Sequence, residues 1–346
     1  MSFTSREVSK HIKSLLHSIR AKLSQRGNII EVMKLALLQF HSKSDKEQNL
    51  TKVRSLIEAA VEAGAELITL PETFNFRGKA EQEVENSEPI LIDPLLDEQA
   101  DYSQALGDSL QLIHELSKKH KVAILAGSIL ETITDYSYCA PKCKAKALAG
   151  EMSKAMNTSC YFNADGDLIA KYSKVHLFDT DFCFESRSRC HGAADSKNIR
   201  IWEDDKLALH FGIGICYDLR FPELFRAYSH GVKFKFSDYE DGASINSGSA
   251  ELIFLPSAFS VKTGPDHWEP LLRARAIENS CYFVAPNQTG LSESGFDCHG
   301  ESMVVDPWGR VLELEQVTEE IFLVDIDLAL VRQIREKMPL SNIRFQ

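Results

Sequence analysis

Phe211-Gly212-Ile213-Gly214-Ile215-Cys216-Tyr217-Asp218-Leu219-Arg220-Phe221-Pro222-Glu223 holds two elements and the joint between them. The run from Leu207 to Ile215 is apolar and β-branched enough for a buried strand. Gly212 and Gly214 alternate within it, so one strand face carries no side chains and admits a second backbone or a ligand. Pro222 suits the first position of a helix, and Glu223 its first turn. Cys216 therefore falls at a strand-to-helix turn, a geometry that projects a nucleophile and aims backbone N–H groups at an oxyanion. The nearby helix N-terminus is expected to favour the thiolate, the reactive form of cysteine. A small buried cysteine closing a core strand carries the same local signature, so this stretch by itself leaves both readings open.

Two further stretches decide between them. Leu67-Ile68-Thr69-Leu70-Pro71-Glu72-Thr73-Phe74 is an apolar strand stopped by Pro71, with a carboxylate directly behind it. Lys171-Tyr172-Ser173-Lys174-Val175-His176-Leu177-Phe178 alternates like a strand and carries Lys174. Alone, Glu72 is equally a helix-start carboxylate and Lys174 a solvated strand residue. Together the three stretches resemble the nitrilase superfamily of carbon–nitrogen hydrolases, whose catalytic triad is Glu–Lys–Cys. The likeness continues through Leu255-Pro256-Ser257-Ala258-Phe259, His267-Trp268-Glu269, Arg273-Ala274-Arg275-Ala276-Ile277-Glu278 and Ser302-Met303-Val304-Val305-Asp306-Pro307-Trp308-Gly309. It runs in order and in register from about Lys34 to Pro339.

The resemblance implies hydrolysis of an amide in two halves, acylation and deacylation of a cysteine, which splits one difficult step into two easier ones. Cys216 is the nucleophile. Glu72 removes its proton, protonates the departing ammonia and then activates water. Lys174, protonated, stabilises the tetrahedral oxyanion, with the Tyr217 backbone N–H as second donor. The family's second pocket glutamate matches Glu185, in Phe184-Glu185-Ser186, which is expected to hold Lys174. No metal and no cofactor are implied. Tyr217, Arg220-Phe221-Pro222-Glu223, Pro256-Ser257-Ala258-Phe259 and the Lys337-Met338-Pro339 ending resemble the ω-amidase and deaminated-glutathione-amidase branch. The expected substrate is a small carboxylated amide, with Arg220 pairing its carboxylate bidentately; a salt bridge from Arg220 to Glu223 or Asp218 is an equal alternative. A nitrilase or a carbamoyl-amide hydrolase of the same superfamily is the catalytic rival, and a scaffold that keeps only the fold is the non-enzymatic one. His176 and His267 invite a Cys–His protease reading, but no Asn or Asp orienter stands out and the protease signatures are absent around Cys216. The family likeness also implies a homodimer or a higher homo-oligomer.

Composition bounds the partners. With 39 Lys and Arg against 50 Asp and Glu the formal charge is -11, the wrong sign for a nucleic-acid partner. No apolar run approaches the roughly 20 residues of a membrane helix. The 8 cysteines are too sparse for a disulfide scaffold, so a reducing compartment, the cytoplasm, is expected. Cys139/Cys143 and Cys183/Cys190-His191 lack the short paired spacing of structural zinc. Residues 1–31 differ: Arg6, Lys10, Lys13, Arg20, Lys22 and Arg26 face only Glu7 and Glu31, with Ile12, Leu15, Leu16, Ile19 and Leu23 at helical spacing. Such an acid-poor amphipathic leader is the mitochondrial alternative.

Residues 32–346 then read as one hydrolase domain in which strands alternate with amphipathic helices. Strands are expected at Val32–Phe40, Leu67–Leu70, Val122–Leu130, Leu252–Leu255, Cys281–Ala285 and Ile321–Ile326. Helices are expected from Asp45 to Gly64 and over Tyr102–Lys119, Phe221–His230, Pro270–Asn279 and Leu328–Met338. Hairpins turn at Asp165-Gly166 and at Pro307-Trp308-Gly309, and Asn75–Gln99 reads as a long loop. This pattern means layered α/β with mixed sheets. The resemblance sharpens it to a four-layer α-β-β-α sandwich, two mixed sheets face to face with helices outside. Two stretches, 139–156 and 232–250, fit the family poorly and read as surface insertions, which long loops tolerate thermodynamically.

Overall fold

Period-two alternation in the first strand sets the layers. In Val32–Leu38, Leu35 and Leu37 point into a core shared with a second sheet, while Ala36 and Leu38 point outward. On that outer side they meet helices Lys46–Glu62 and Asp108–His120 through Val53, Ile57, Ile113 and Leu116. Leu67 and Ile68, then Leu125 and Ile124, divide the same way. The computed structural model describes residues 32–95, 102–134, 136–149, 155–230, 249–318 and 320–340. The leader at 1–31 and nearly all of the insertion at 232–250 lie outside the described residues.

The first sheet runs Glu315–Thr318, Ile321–Asp327, Val32–Leu38, Leu67–Thr69, Ala123–Leu125, Ala155–Phe162, Ile129–Thr132, with Leu168–Ser173 and Arg189–Cys190 also paired to Ala155–Phe162. The second runs Trp202–Asp204, Leu209–Ile213, Leu252–Phe254, Tyr282–Ala285, Met303–Val305, parallel at its centre and antiparallel at both edges. Tyr161 of the first sheet packs across the interface on Phe211 (4.5 Å between ring centroids) and Phe254 (5.9 Å), and its hydroxyl donates to Asp204 at 2.9 Å. Helices Pro222–His230 and Gly264–Asn279 close the fourth layer with Phe225, Tyr228, Trp268 and Leu272. Burying one such aromatic is worth roughly 1.5–3 kcal/mol. A helix cap, such as Asp45 accepting from the Gln48 N–H at 3.0 Å, contributes about 1 kcal/mol. The apolar pleat, then, decides the layering and the caps only set the ends.

Several boundaries differ from the sequence-based reading. Val122–Leu130 breaks into Ala123–Leu125 and Ile129–Thr132 because Gly127, at φ 36°, lies against the chain before Glu72; a Cβ there would sit 2.0 Å from the Pro71 carbonyl oxygen. The last long helix before Cys281 starts at Gly264, not Pro270. Its first turns are anchored by buried Trp268, whose Nε1–H donates to the Glu301 carbonyl at 2.7 Å. The expected Met303–Leu314 hairpin reduces to a Val305–Val311 bridge, and Glu315–Thr318 crosses to pair in the other sheet. Within 75–99 a short helix forms at Ala80–Glu85. The 139–156 stretch is less superficial than its composition suggests: it contains helix Pro141–Leu148, and Cys139 is buried with its thiol donating to the Met156 sulfur at 3.5 Å.

Candidate active site

Strand Leu209–Ile213 delivers the turn that carries Cys216. Cys216 opens a short 3₁₀ turn, Cys216–Arg220, at φ 46°, and the α-helix follows from Pro222. A left-handed cysteine is strained by about 1–2 kcal/mol and persists only where its surroundings over-determine it. They do so here. The Cys216 N–H donates to the Pro256 carbonyl at 3.0 Å. The fully buried Asp218 carboxylate accepts from the Ile215 N–H (2.9 Å), the Tyr172 hydroxyl (2.7 Å), the His176 N–H (3.0 Å) and His176 Nδ1 (2.7 Å). Asp218 thus ties the Cys216 turn to the segment that carries Lys174. His176, held by Asp218 and stacked on Phe221 at 3.6 Å, is not among the residues that line the cleft with Cys216, so a Cys–His protease site is not assembled around it.

The alternating glycines serve packing rather than a ligand. A Cβ at Gly212 would meet the Tyr228 ring at 2.7 Å, and one at Gly214 the Phe225 ring at 3.0 Å. The face that lacks side chains receives helix Pro222–His230.

Glu72 lies directly after Pro71 and is buried. Its Oε1 accepts from Lys174 Nζ at 2.9 Å and from Asn157 Nδ2 at 2.8 Å, and its Oε2 from the Ala258 N–H at 2.9 Å. Lys174 Nζ also reaches Glu185 Oε2 at 2.9 Å. Glu185 accepts from the Phe178 N–H at 2.8 Å and pairs with Arg189, whose Nη2 meets Glu83 Oε1 at 2.8 Å. Charge alternates along this path, from Glu72 through Lys174, Glu185 and Arg189 to Glu83. Burial pulls the Lys174 ammonium down, but Glu185 and Glu72 more than offset it and hold its pKa well above the ordinary lysine value. Burial raises Glu185, yet Lys174 and Arg189 outweigh it and leave the carboxyl below its ordinary value.

Cys216 departs from the thiolate expectation. Burial, then Glu72, pushes its thiol well above the usual range, and Lys174 with the Ala258 N–H does not reverse that. The α-helix begins only at Pro222, too far along for its N-terminal N–H groups to favour a charge at Cys216, since such fields fade within a turn.

Glu72, Lys174, Glu185 and Cys216 line one cleft of about 90 Å³, with Arg77 and Phe296 on its wall. It opens onto an outer groove of about 330 Å³ edged by Phe182, Phe184, Val261 and Lys262. Tyr217 and Arg220 are not among the cleft-lining residues. The Tyr217 ring packs on Phe178 (4.8 Å) and Phe221 (5.4 Å). Both Arg220 Nη atoms lie 3.2 Å from His267 Nδ1, with the guanidinium over Tyr217 and Phe259; neither Glu223 nor Asp218 is its partner. Among the described residues no three His, Cys, Asp or Glu side chains gather as a metal site. A thiol, a carboxylate and an ammonium whose charge its neighbours favour, on one small cleft, are the parts of nucleophilic acyl transfer.

The family model of carbon–nitrogen hydrolases matches residues 34–336. The chain belongs to the carbon–nitrogen hydrolase family. This hydrolase is 32% identical to the deaminated glutathione amidase of Synechocystis sp. over 88% of its own length and 95% of that protein. It is 31% identical to omega-amidase NIT2 of Homo sapiens, over 88% and 92%. Among solved structures it resembles Saccharomyces cerevisiae Nit3, a member of branch 10 of the nitrilase superfamily, with a TM-score of 0.69 and 30% identity over 91% of this chain and 97% of that one. The four-layer sandwich is thus the family's fold as well as the one the sheets here form.

Asn157, Ala258, Asp218 and Arg189 of the hydrolase were not singled out as site residues from sequence. Ala258 acts through a backbone N–H, which no side chain announces, and each of the other three also needs a partner distant in the chain: Glu72 for Asn157, Tyr172 for Asp218 and Glu83 for Arg189. Asp218→Asn should remove one acceptor oxygen facing four donors. Stability is expected to fall by about 1–3 kcal/mol, read by urea unfolding, with turnover falling as the Cys216 turn loosens; an unchanged midpoint would show that Asp218 does not hold the turn.

The ion path also sets a pH dependence. Glu185 is lowered from 4.5 when folded, so its stabilisation is complete above that ordinary value and is lost as pH falls through the folded one. Lys174 is raised from 10.5, so its share is complete below that value and lost only in strong alkali. Glu185→Gln should cost about 3–5 kcal/mol at neutral pH, because it leaves buried cations short of a partner. The variant's stability should then fall less steeply in acid than the wild type's. Parallel acid limbs for the two proteins would contradict this.

Proposed function

We propose that this hydrolase is an amidase that releases ammonia from the terminal –CONH₂ of a small carboxylated substrate through a Cys216 thioester. Glu72 takes the Cys216 proton as sulfur attacks the carbonyl carbon. Lys174 and the Tyr217 backbone N–H stabilise the oxyanion. The same proton passes from Glu72 to the amine, so that ammonia leaves as the carbonyl re-forms. Glu72 then draws a proton from water, which attacks the thioester and frees the acid and the thiol. Glu185 keeps Lys174 charged and in place. The observation that carries this reading is the buried Lys174 ammonium fixed between Glu72 and Glu185 beside Cys216. Its relatives' names, deaminated glutathione amidase and omega-amidase, point to the same substrate class. Ammonia release from a matched panel of small amides, nitriles and carbamoyl amides tests it. Preferential turnover of nitriles or carbamoyl amides would make the chain a nitrilase or a carbamoyl-amide hydrolase, and no turnover at all a scaffold.

Within the same reading the enzyme works as a homodimer in the cytoplasm, which light scattering and cell fractionation check. Among the described residues no helix is long and apolar enough to cross a membrane.

A further inference from the structure

Three cations line the catalytic cleft: Lys174, Arg189 and Arg77. Lys174 has Glu72 and Glu185 as partners, and Arg189 has Glu185 and Glu83. Arg77 pairs with no carboxylate among the described residues. Its backbone N–H donates to the Lys43 carbonyl at 3.0 Å, its Nη1 donates to the Cys298 sulfur at 2.7 Å, and its guanidinium lies 5.6 Å from the Phe296 ring centroid. Cys298 is no hidden counter-ion, because burial pushes its thiol up despite Arg77 and keeps it neutral. A guanidinium has five N–H donors in a rigid fork, and a thiol engages one of them weakly. What remains is a half-buried, oriented fork turned over to the cleft.

The surrounding charge gives that fork a direction. The path from Glu72 to Glu83 holds three carboxylates and two cations, one net negative charge, and would repel a substrate carboxylate anywhere beside it. Arg77, outside that path, is where an anion is accepted on the same wall. Arg77 and Cys216 line the same narrow cleft, so a carboxylate at Arg77 and an amide carbonyl at Cys216 belong to the two ends of one short substrate. We propose that Arg77 is the specificity-determining residue that receives the non-scissile carboxylate, the role expected of Arg220, which instead engages His267. The assignment rests on the amidase reading.

The test compares glutaramate with uncharged pentanamide in wild type, Arg77→Met and Arg77→Lys. The ratio of kcat/KM for the two amides should fall about 10- to 100-fold in Arg77→Met, the span of a charged hydrogen-bonded pair. It should fall less in Arg77→Lys, which keeps charge but not the fork. In parallel, glutarate should protect Cys216 from alkylation by iodoacetamide, mapped by peptide mass, in wild type and not in Arg77→Met. Should Arg77→Met fail to fold, judged by circular dichroism, Arg77→Gln takes its place. An unchanged ratio, with amide turnover intact, overturns the Arg77 assignment and leaves the amidase reading standing. Arg77-dependent protection by glutarate in an enzyme that cleaves neither amide overturns the amidase reading and keeps the carboxylate site.

Discussion

Replacing Cys216 by alanine should remove ammonia release almost entirely, by a factor on the order of 10⁶, as losses of a covalent nucleophile do. Cys216→Ser should do nearly as badly, because a hydroxyl is far less ionised than a thiol. The fold should survive, since thiol to methyl is a small change at a site whose turn is held by Pro256 and Asp218. The backbone supplies an internal control. Cys216 sits at φ 46°, and alanine keeps that strain while glycine relieves it. Cys216→Gly is therefore expected to be more stable than Cys216→Ala by about 1 kcal/mol, although equally inactive. Urea unfolding of the pair reads this directly. Residual turnover in Cys216→Ala above a trace would mean another nucleophile.

Glu72→Gln should cost about 10²–10⁴ in turnover, and the loss should fall on both half-reactions. The reason lies in the resting state of Cys216: burial and Glu72 hold it as a thiol, so acylation cannot start until a base takes the proton. Single-turnover measurements separate the steps. Slow acylation followed by slow thioester hydrolysis is the expected pattern. Acylation at the wild-type rate with a stall only afterwards would move the first proton transfer to some other group. Glutamine matches glutamate in shape, but its amide would turn an N–H toward Lys174, Asn157 or the Ala258 N–H, all of them donors. Part of the loss should therefore appear as lower stability as well.

That Glu72, Lys174 and Cys216 belong together was legible in sequence because each follows a strand with its own apolar signature, and because their types fit one chemistry; the structure brings all three to one cleft. Layered α/β was legible too, but the two facing sheets came only through the family likeness: Leu35, Ala36, Leu37 and Leu38 are all apolar, so their spacing marks a strand buried on both faces and not which core each one enters. What stayed hidden depends on who meets whom. Gly212 and Gly214 read as room for a ligand until Tyr228 and Phe225 fill it. The thiol state of Cys216 turns on burial and on Glu72, far away in the chain. Arg220 stood near the nucleophile in sequence but turned to His267, whereas Arg77 reached the cleft from a stretch that composition marked only as loop.

The ion path from Glu72 to Glu83 ends on the same segment where it began. Residues 72–83 therefore form a loop closed on itself, by the covalent chain on one side and by Lys174, Glu185 and Arg189 on the other. Arg77 and Gly78 are slung between the two moorings. Substitutions between the moorings can reshape what the cleft admits while the Glu72 carboxylate stays anchored. Substrate range in this enzyme can thus drift along a short hammock of chain, and a change at Glu83, remote from the reacting carbon, would be felt at Glu72 before one nearer the substrate.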